Sequence, residues 1–142
     1  MTNDHKPIEK LYTRMIDSRD GYNDALDSVS DGFLRTIMTE LRNERAEFAQ
    51  TLRSVFASKD INLDEDGSLL ASAHRMFVNL RDTLSEGDDA VLAEIRRGEQ
   101  SLRDLYEDAM KAVDTDAEWS FLTHQRDRID QGIARLDHKR AA

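Results

Sequence analysis

The stretch that decides the fold runs from residue 34 to residue 55 and reads LRTIMTELRNERAEFAQTLRSV. Its apolar residues recur every three or four positions, which is the spacing of one face of an α-helix. These positions are Leu34, Ile37, Leu41, Phe48, Leu52 and Val55. The rhythm misses one step between Leu41 and Phe48, and Glu44 stands in that gap. We therefore expect Glu44 to point inward from a long amphipathic helix.

Three further long segments have the same apolar spacing, and each has one polar interruption near its centre. The interruptions are Ser18 or Arg19 in the first segment, Glu99 in the segment from 88 to 113, and Gln125 or Arg126 in the last segment. Helices of about 25 residues are roughly 38 Å long, and in matched helices the central positions fall in one layer. The sequence thus predicts a four-helix bundle with a charged middle layer.

A shorter apolar segment, residues 68–84, lies between the second and third long helices. Its length suits a crossover along the outside of the bundle, which is the ferritin-like arrangement. The alternative is a five-helix up-down array in which this helix packs as an equal. In either case we expect an all-α fold and a single domain covering residues 1–142.

The composition narrows the range of functions. The chain contains no cysteine, which excludes disulfides, thiolate catalysis and cysteine-based zinc sites. Its formal net charge of −9 disfavours nucleic acid and anionic membranes as partners, because both bind basic patches. No apolar run approaches the roughly 20 residues of a membrane span, and the first residues do not resemble a signal peptide. We therefore expect a cytoplasmic protein.

Several short motifs occur in order between about residue 6 and residue 113. They are Asp20-Gly21-Tyr22 with Ala25, Glu44-Arg45 with Phe48 and Leu52, Gly67-Ser68, His74-Arg75, Gly87-Asp88-Asp89, Gly98-Glu99, and Tyr106 with Ala109. With these motifs the sequence resembles a family of bacterial ferritin-like four-helix-bundle proteins of unknown function. The resemblance implies the ferritin-like fold and, by analogy, a stress-related role. It implies no particular activity.

The middle layer raises the question of a metal site. Ferritin-like bundles hold two iron or manganese ions with one Glu from each of two helices and a Glu-x-x-His pair from each of the other two. Here Glu44 is followed three residues later by Glu47, and Glu99 by Leu102, so the histidine of each pair is missing. The sequence therefore favours a non-enzymatic protein without a cofactor.

In that interpretation, cationic or hydroxyl side chains neutralise the two inward carboxylates. The candidate partners of Glu44 and Glu99 are Arg126, Arg19 and Tyr22, with Arg126 favoured over Arg19 because the last helix has no other inward charge at that level.

Two alternatives remain open. The first is an iron- or manganese-binding oxidase or metal-handling protein, with the metal ligands Asp20, Glu44, Glu47, His74 and Glu99. The second is an oligomeric scaffold or interaction protein. A homodimer would use an apolar stripe outside the core, formed by Tyr12, Ile16, Met38 and Phe56.

Overall fold

The computed structural model describes residues 6–29, 32–60, 78–113 and 119–141, and within these ranges the chain forms helices and no strand. The helices are α1 (Lys6–Leu26), α2 (Gly32–Ser58), α3 (Val78–Thr83), α4 (Asp88–Ala112) and α5 (Phe121–Ala141). A 3₁₀ turn, Leu84–Glu86, lies between α3 and α4. The prediction of an all-α fold with four long helices is confirmed over the described part of the chain.

The first two long helices form a hairpin. Pro7 lies in the first turn of α1, where its missing N–H would have no intrahelical partner in any case. At the other end of α1, Arg35 Nη1 donates to the carbonyl oxygens of Leu26 and Val29, each at 3.1 Å. This side chain of α2 therefore satisfies the carbonyl of the last residue of α1 and one carbonyl just beyond it.

The approach to α4 depends on a glycine. Gly87 separates the 3₁₀ turn from α4 and has a φ of +103°, a conformation that L side chains rarely adopt. The short helix predicted over 68–84 is described only from Val78, since residues 61–77 lie outside the described ranges. Its proposed role as a crossover therefore stays a prediction.

The core consists of two apolar clusters, one at each end of the bundle. The Trp119 cluster combines residues 8–15 of α1, 48–56 of α2, 102–109 of α4 and 119–133 at and in α5. The Leu80 cluster combines residues 22–29, 34–41, 80, 91–95 and 136. The chain positions in the two clusters show that α1 and α5 run in one direction and that α2 and α4 run in the other. The neighbours α1 and α2, α1 and α4, and α4 and α5 are therefore antiparallel.

The apolar stripe predicted for dimerisation belongs to the core instead. Tyr12, Met38 and Phe56 are buried, and Ile16 is partly buried against the Trp119 cluster. The rings of Tyr12 and Phe56 pack edge to face, with their centroids 6.0 Å apart. The prediction of this surface is wrong because each helix buries a face wider than one three-four seam.

Candidate functional site

Polar side chains from all four long helices meet between the two apolar clusters. In each helix the apolar rhythm has one gap of seven residues, from Met15 to Tyr22, Leu41 to Phe48, Ile95 to Leu102 and Leu122 to Ile129. Five buried polar residues lie in these gaps: Asp17 and Ser18 in α1, Arg45 in α2, Glu99 in α4 and Gln125 in α5. The predicted polar middle layer is confirmed, with Glu99, Ser18 and Gln125 among the expected residues.

In α2 the buried residue is Arg45 and not Glu44. Arg45 follows Leu41 by four positions and precedes Phe48 by three, so it continues the apolar face as well as Glu44 does. The Arg45 side chain is 0% exposed, whereas the Glu44 side chain is 18% exposed. Glu44 lies towards α5, where its Oε2 accepts a hydrogen bond from Arg128 at 3.3 Å. The prediction that Glu44 fills the inward position is therefore wrong.

Arg45 and Glu99 form a buried ion pair that joins α2 to α4 across the bundle. Arg45 Nη2 donates to Glu99 Oε1, and Arg45 Nη1 donates to Glu44 Oε1 at 3.0 Å. The hydroxyl of Tyr22 donates to Glu99 Oε2 at 3.0 Å, as predicted for this pair. The guanidinium carbon also lies 5.6 Å from the ring centroid of Phe48, within cation–π range. Both oxygens of Glu99 are thus bound by donors of the same chain.

The protonation states of these groups follow from their surroundings. Burial by itself lowers the pKa of Arg45, but the negative charge and hydrogen bond of Glu99 outweigh it and raise the pKa above its ordinary value. Burial raises the pKa of Tyr22 well above its ordinary value, and the charge of Glu99 raises it further. Arg45 therefore stays a cation and Tyr22 a neutral hydrogen-bond donor throughout the physiological pH range.

A second polar contact extends the layer to α5. The hydroxyl of Tyr106, in α4, donates to Gln125 Oε1 at 2.7 Å, and both side chains are buried. Burial raises the pKa of Tyr106, so this hydroxyl also keeps its proton. The amide of Gln125 supplies the acceptor that a buried tyrosine needs.

The two arginines favoured by the sequence lie outside this layer. Arg126 Nη1 donates to Glu107 Oε1 at 2.7 Å, and Arg19 pairs with its neighbour Asp20 at 2.9 Å on the surface. The prediction that Arg126 neutralises the layer is wrong because the adjacent Gln125 takes the inward position. Adjacent residues of a helix do not share a face.

Of the proposed metal ligands, Glu44 and Glu99 are the two that come together within the described residues, and they do so around Arg45. Glu44 and Glu99 are both bound by one guanidinium, Glu47 and Asp20 are exposed, and His74 lies outside the described ranges. Across the described part of the chain, no group of three or more His, Asp or Glu side chains is placed to hold a metal ion. The carboxylates in the middle layer do not fit a dication, since a cation of the chain already bridges them. With His74 undescribed, the full ligand set stays a prediction.

The fold and this layer define a class of protein, the α-helical bundle with a buried ionic layer. The chain belongs to the DUF2383 family, because the model of this domain of unknown function matches residues 5–112. The match spans α1 to α4 and includes Tyr22, Arg45 and Glu99, and it agrees with the extent of the resemblance seen in the motifs. No curated protein and no solved structure matches the chain. Among the described helices, none is long and apolar enough to cross a membrane.

Proposed function

We propose that this chain is a non-enzymatic bundle of ferritin-like topology, one domain over residues 1–142, acting in the cytoplasm. Its middle layer is closed by an internal ion pair and takes no metal. The directions of the helices support the topology, since α2 and α4 run parallel and their neighbours α1 and α5 run the other way. One long crossover connection produces this arrangement in ferritin-like bundles.

The observation that carries the proposal is the position of Arg45. Its guanidinium is fully buried and binds carboxylates on both sides, at the level where a ferritin-like bundle would hold its metals. A dication about 4 Å from this charge would be repelled by roughly 8 kcal/mol at an effective dielectric constant of about 20. Arginine cannot relieve this repulsion by losing its proton.

The competing hypothesis is a carboxylate-bridged iron or manganese enzyme, and metal content distinguishes the two. The full chain is expressed in medium supplemented with iron and manganese, and its bound metals are measured by elemental analysis. We expect no stoichiometric transition metal. About two bound ions per chain would contradict the proposal and support the enzyme.

Thermal melting gives a second readout of the same question. A metal that binds only the folded chain raises its stability by mass action, by about 2.7 kcal/mol at a concentration of 100 times Kd. We expect equal melting temperatures with iron, with manganese and with a chelator. A rise with metal that disappears in Glu99→Gln would show that the middle layer binds metal.

A stress-related role rests on the family resemblance alone. It predicts that the chain becomes more abundant when cells are stressed, which quantitative proteomics of stressed and unstressed cultures can measure. Constant abundance under all stresses would remove this part of the proposal.

A further inference from the structure

The end of the bundle that contains the Leu80 cluster has an open apolar groove between α2 and α5. The groove has a volume of about 340 Å³. Ile37 and Leu41 of α2 line one side, and Gly132 and Leu136 of α5 line the other. Leu41, Gly132 and Leu136 are buried and form the floor of the groove, and Ile37 is half-buried at its side, so the groove is suited to contact with another molecule.

The groove is open partly because residue 132 has no side chain. Glycine is among the poorest helix formers, and Gly132 lies inside α5. A Cβ atom added there would meet no atom within 4 Å, so packing within the described chain does not require a glycine. The missing side chain instead leaves free space in the groove beside the backbone of α5.

The two sides of the groove carry opposite charges. Glu40 lies on the α2 side and Arg135 on the α5 side, both are exposed, and neither forms an ion pair within the described residues. The contact between Glu44 and Arg128 sets the register of the two helices. Glu40 is four residues from Glu44, and Arg135 is seven residues from Arg128, both towards the same end of the bundle. The two charges therefore lie within about one helical turn of each other along the bundle axis.

We propose that this face is the interface of a homodimer, in which Glu40 of each copy pairs with Arg135 of the other. A two-fold dimer uses the same face twice, so a face with one acidic and one basic side is complementary to itself. A small ligand of a single charge would instead be repelled by one of the two sides. Because the chain has a net charge of −9, copies repel each other at long range, and a docking face must be locally balanced.

The charges also select the direction of the two-fold axis. With the axis parallel to the helices, the α2 side of one copy faces the α5 side of the other, and both Glu40–Arg135 pairs form. With the axis across the helices, Glu40 would face Glu40. The dimer therefore has its axis along the bundle, with the two apolar grooves buried against each other.

Charge reversal tests this arrangement on the full chain by native mass spectrometry and analytical ultracentrifugation. The wild type is expected at twice the chain mass of 16.3 kDa. Glu40→Arg and Arg135→Glu each place like charges opposite one another and should raise the dissociation constant at least about a hundredfold. An equimolar mixture of the two variants should form a heterodimer, because every facing pair is then opposite in sign. The double variant should dimerise by itself for the same reason.

Matched controls keep the change of charge and move it away from the groove. Asp108→Lys on α4 and Lys10→Glu on α1 alter exposed residues elsewhere and should leave the dimer intact. Gly132→Leu should abolish the dimer by filling the groove, while circular dichroism shows an unchanged helical content.

Three outcomes would overturn the proposal. They are a monomeric wild type at all concentrations, a dimer that survives both single charge reversals, and a monomer that carries a small bound molecule in native mass spectra. Since these experiments measure mass and not metal content, their failure would leave the proposed function standing.

Discussion

Replacing Arg45 with methionine removes the cation of the middle layer and keeps an unbranched apolar side chain of comparable length. The change leaves the buried carboxylate of Glu99 with Tyr22 as its remaining donor. Breaking a buried ion pair in this way costs about 3–5 kcal/mol, because the remaining charge is desolvated without compensation. For a domain of this size the melting temperature should fall by about 10–20 °C.

The reverse expectation holds when the whole polar group is removed. In the triple variant Tyr22→Phe, Arg45→Met, Glu99→Leu no buried charge or hydroxyl of this group is left unpaired. We expect its free energy of unfolding to lie within about 1 kcal/mol of the wild-type value, or above it, since apolar replacements of buried ion pairs are often neutral or stabilising. Arg126→Met is the matched control: this arginine pairs with Glu107 near the surface, so its loss should cost less than about 1 kcal/mol.

The assay is urea unfolding at neutral pH, followed by far-ultraviolet circular dichroism and by the fluorescence of Trp119, the single tryptophan of the chain. Agreement of the two probes supports two-state analysis. The reasoning is refuted if Arg45→Met unfolds within about 1 kcal/mol of the wild type, or if the triple variant is as unstable as the single one.

Three further predictions concern other parts of the bundle. Burial raises the pKa of Tyr22 and Tyr106, so above about pH 10 the unfolded chain loses the protons of these tyrosines while the folded chain keeps them. The free energy of unfolding should therefore fall above about pH 10, by up to about 2.7 kcal/mol per pH unit for the two tyrosines together. Urea unfolding at increasing pH should show this fall, and it should be shallower in the two Tyr→Phe variants. Phe56→Ala should cost about 3–5 kcal/mol and shift the emission of Trp119 to the red, because it leaves a cavity beside the indole ring; unchanged emission would contradict this packing. Gly132→Ala should stabilise the monomer by up to about 1 kcal/mol, since the new methyl group meets open space. The measurement is urea unfolding at low protein concentration, and a loss of stability there would show a steric conflict at residue 132.

The all-α fold with four long helices could be predicted because apolar residues recur with helical spacing over many turns of each long helix. The residue that enters the middle layer could not, since two adjacent positions fill each gap equally well. After Leu41, the three-four spacing is continued either by Glu44 or by Arg45, and the rotation of α2 about its axis decides which of the two faces inward. That rotation is set by packing against the other helices, and the apolar spacing of a single helix carries no information about this packing.

The partner of the buried Arg45 guanidinium could not be predicted from the sequence either. Arg45 is tolerated in the core because Glu99, 54 positions further along the chain, lies opposite it. A long charged residue read within its own helix is expected to face solvent. The planar guanidinium can also bridge two carboxylates at once, as it does for Glu44 and Glu99, and no local pattern shows that such a pair will converge.

The diagonal placement of the ion pair has a consequence for how the two halves of the chain recognise each other. The hairpin of α1 and α2 contributes the cation, Arg45, and the hairpin of α4 and α5 contributes the anion, Glu99. Two copies of either hairpin packed together would bury like charges face to face, whereas one of each buries a neutral pair. The ion pair therefore makes the two halves of the chain specific for each other. A fragment with α1 and α2 and a separate fragment with α4 and α5 should associate with one another, and neither should associate with a second copy of itself. An α1–α2 fragment with Arg45→Glu should no longer associate with the natural α4–α5 fragment, and should regain association with an α4–α5 fragment that carries Glu99→Arg.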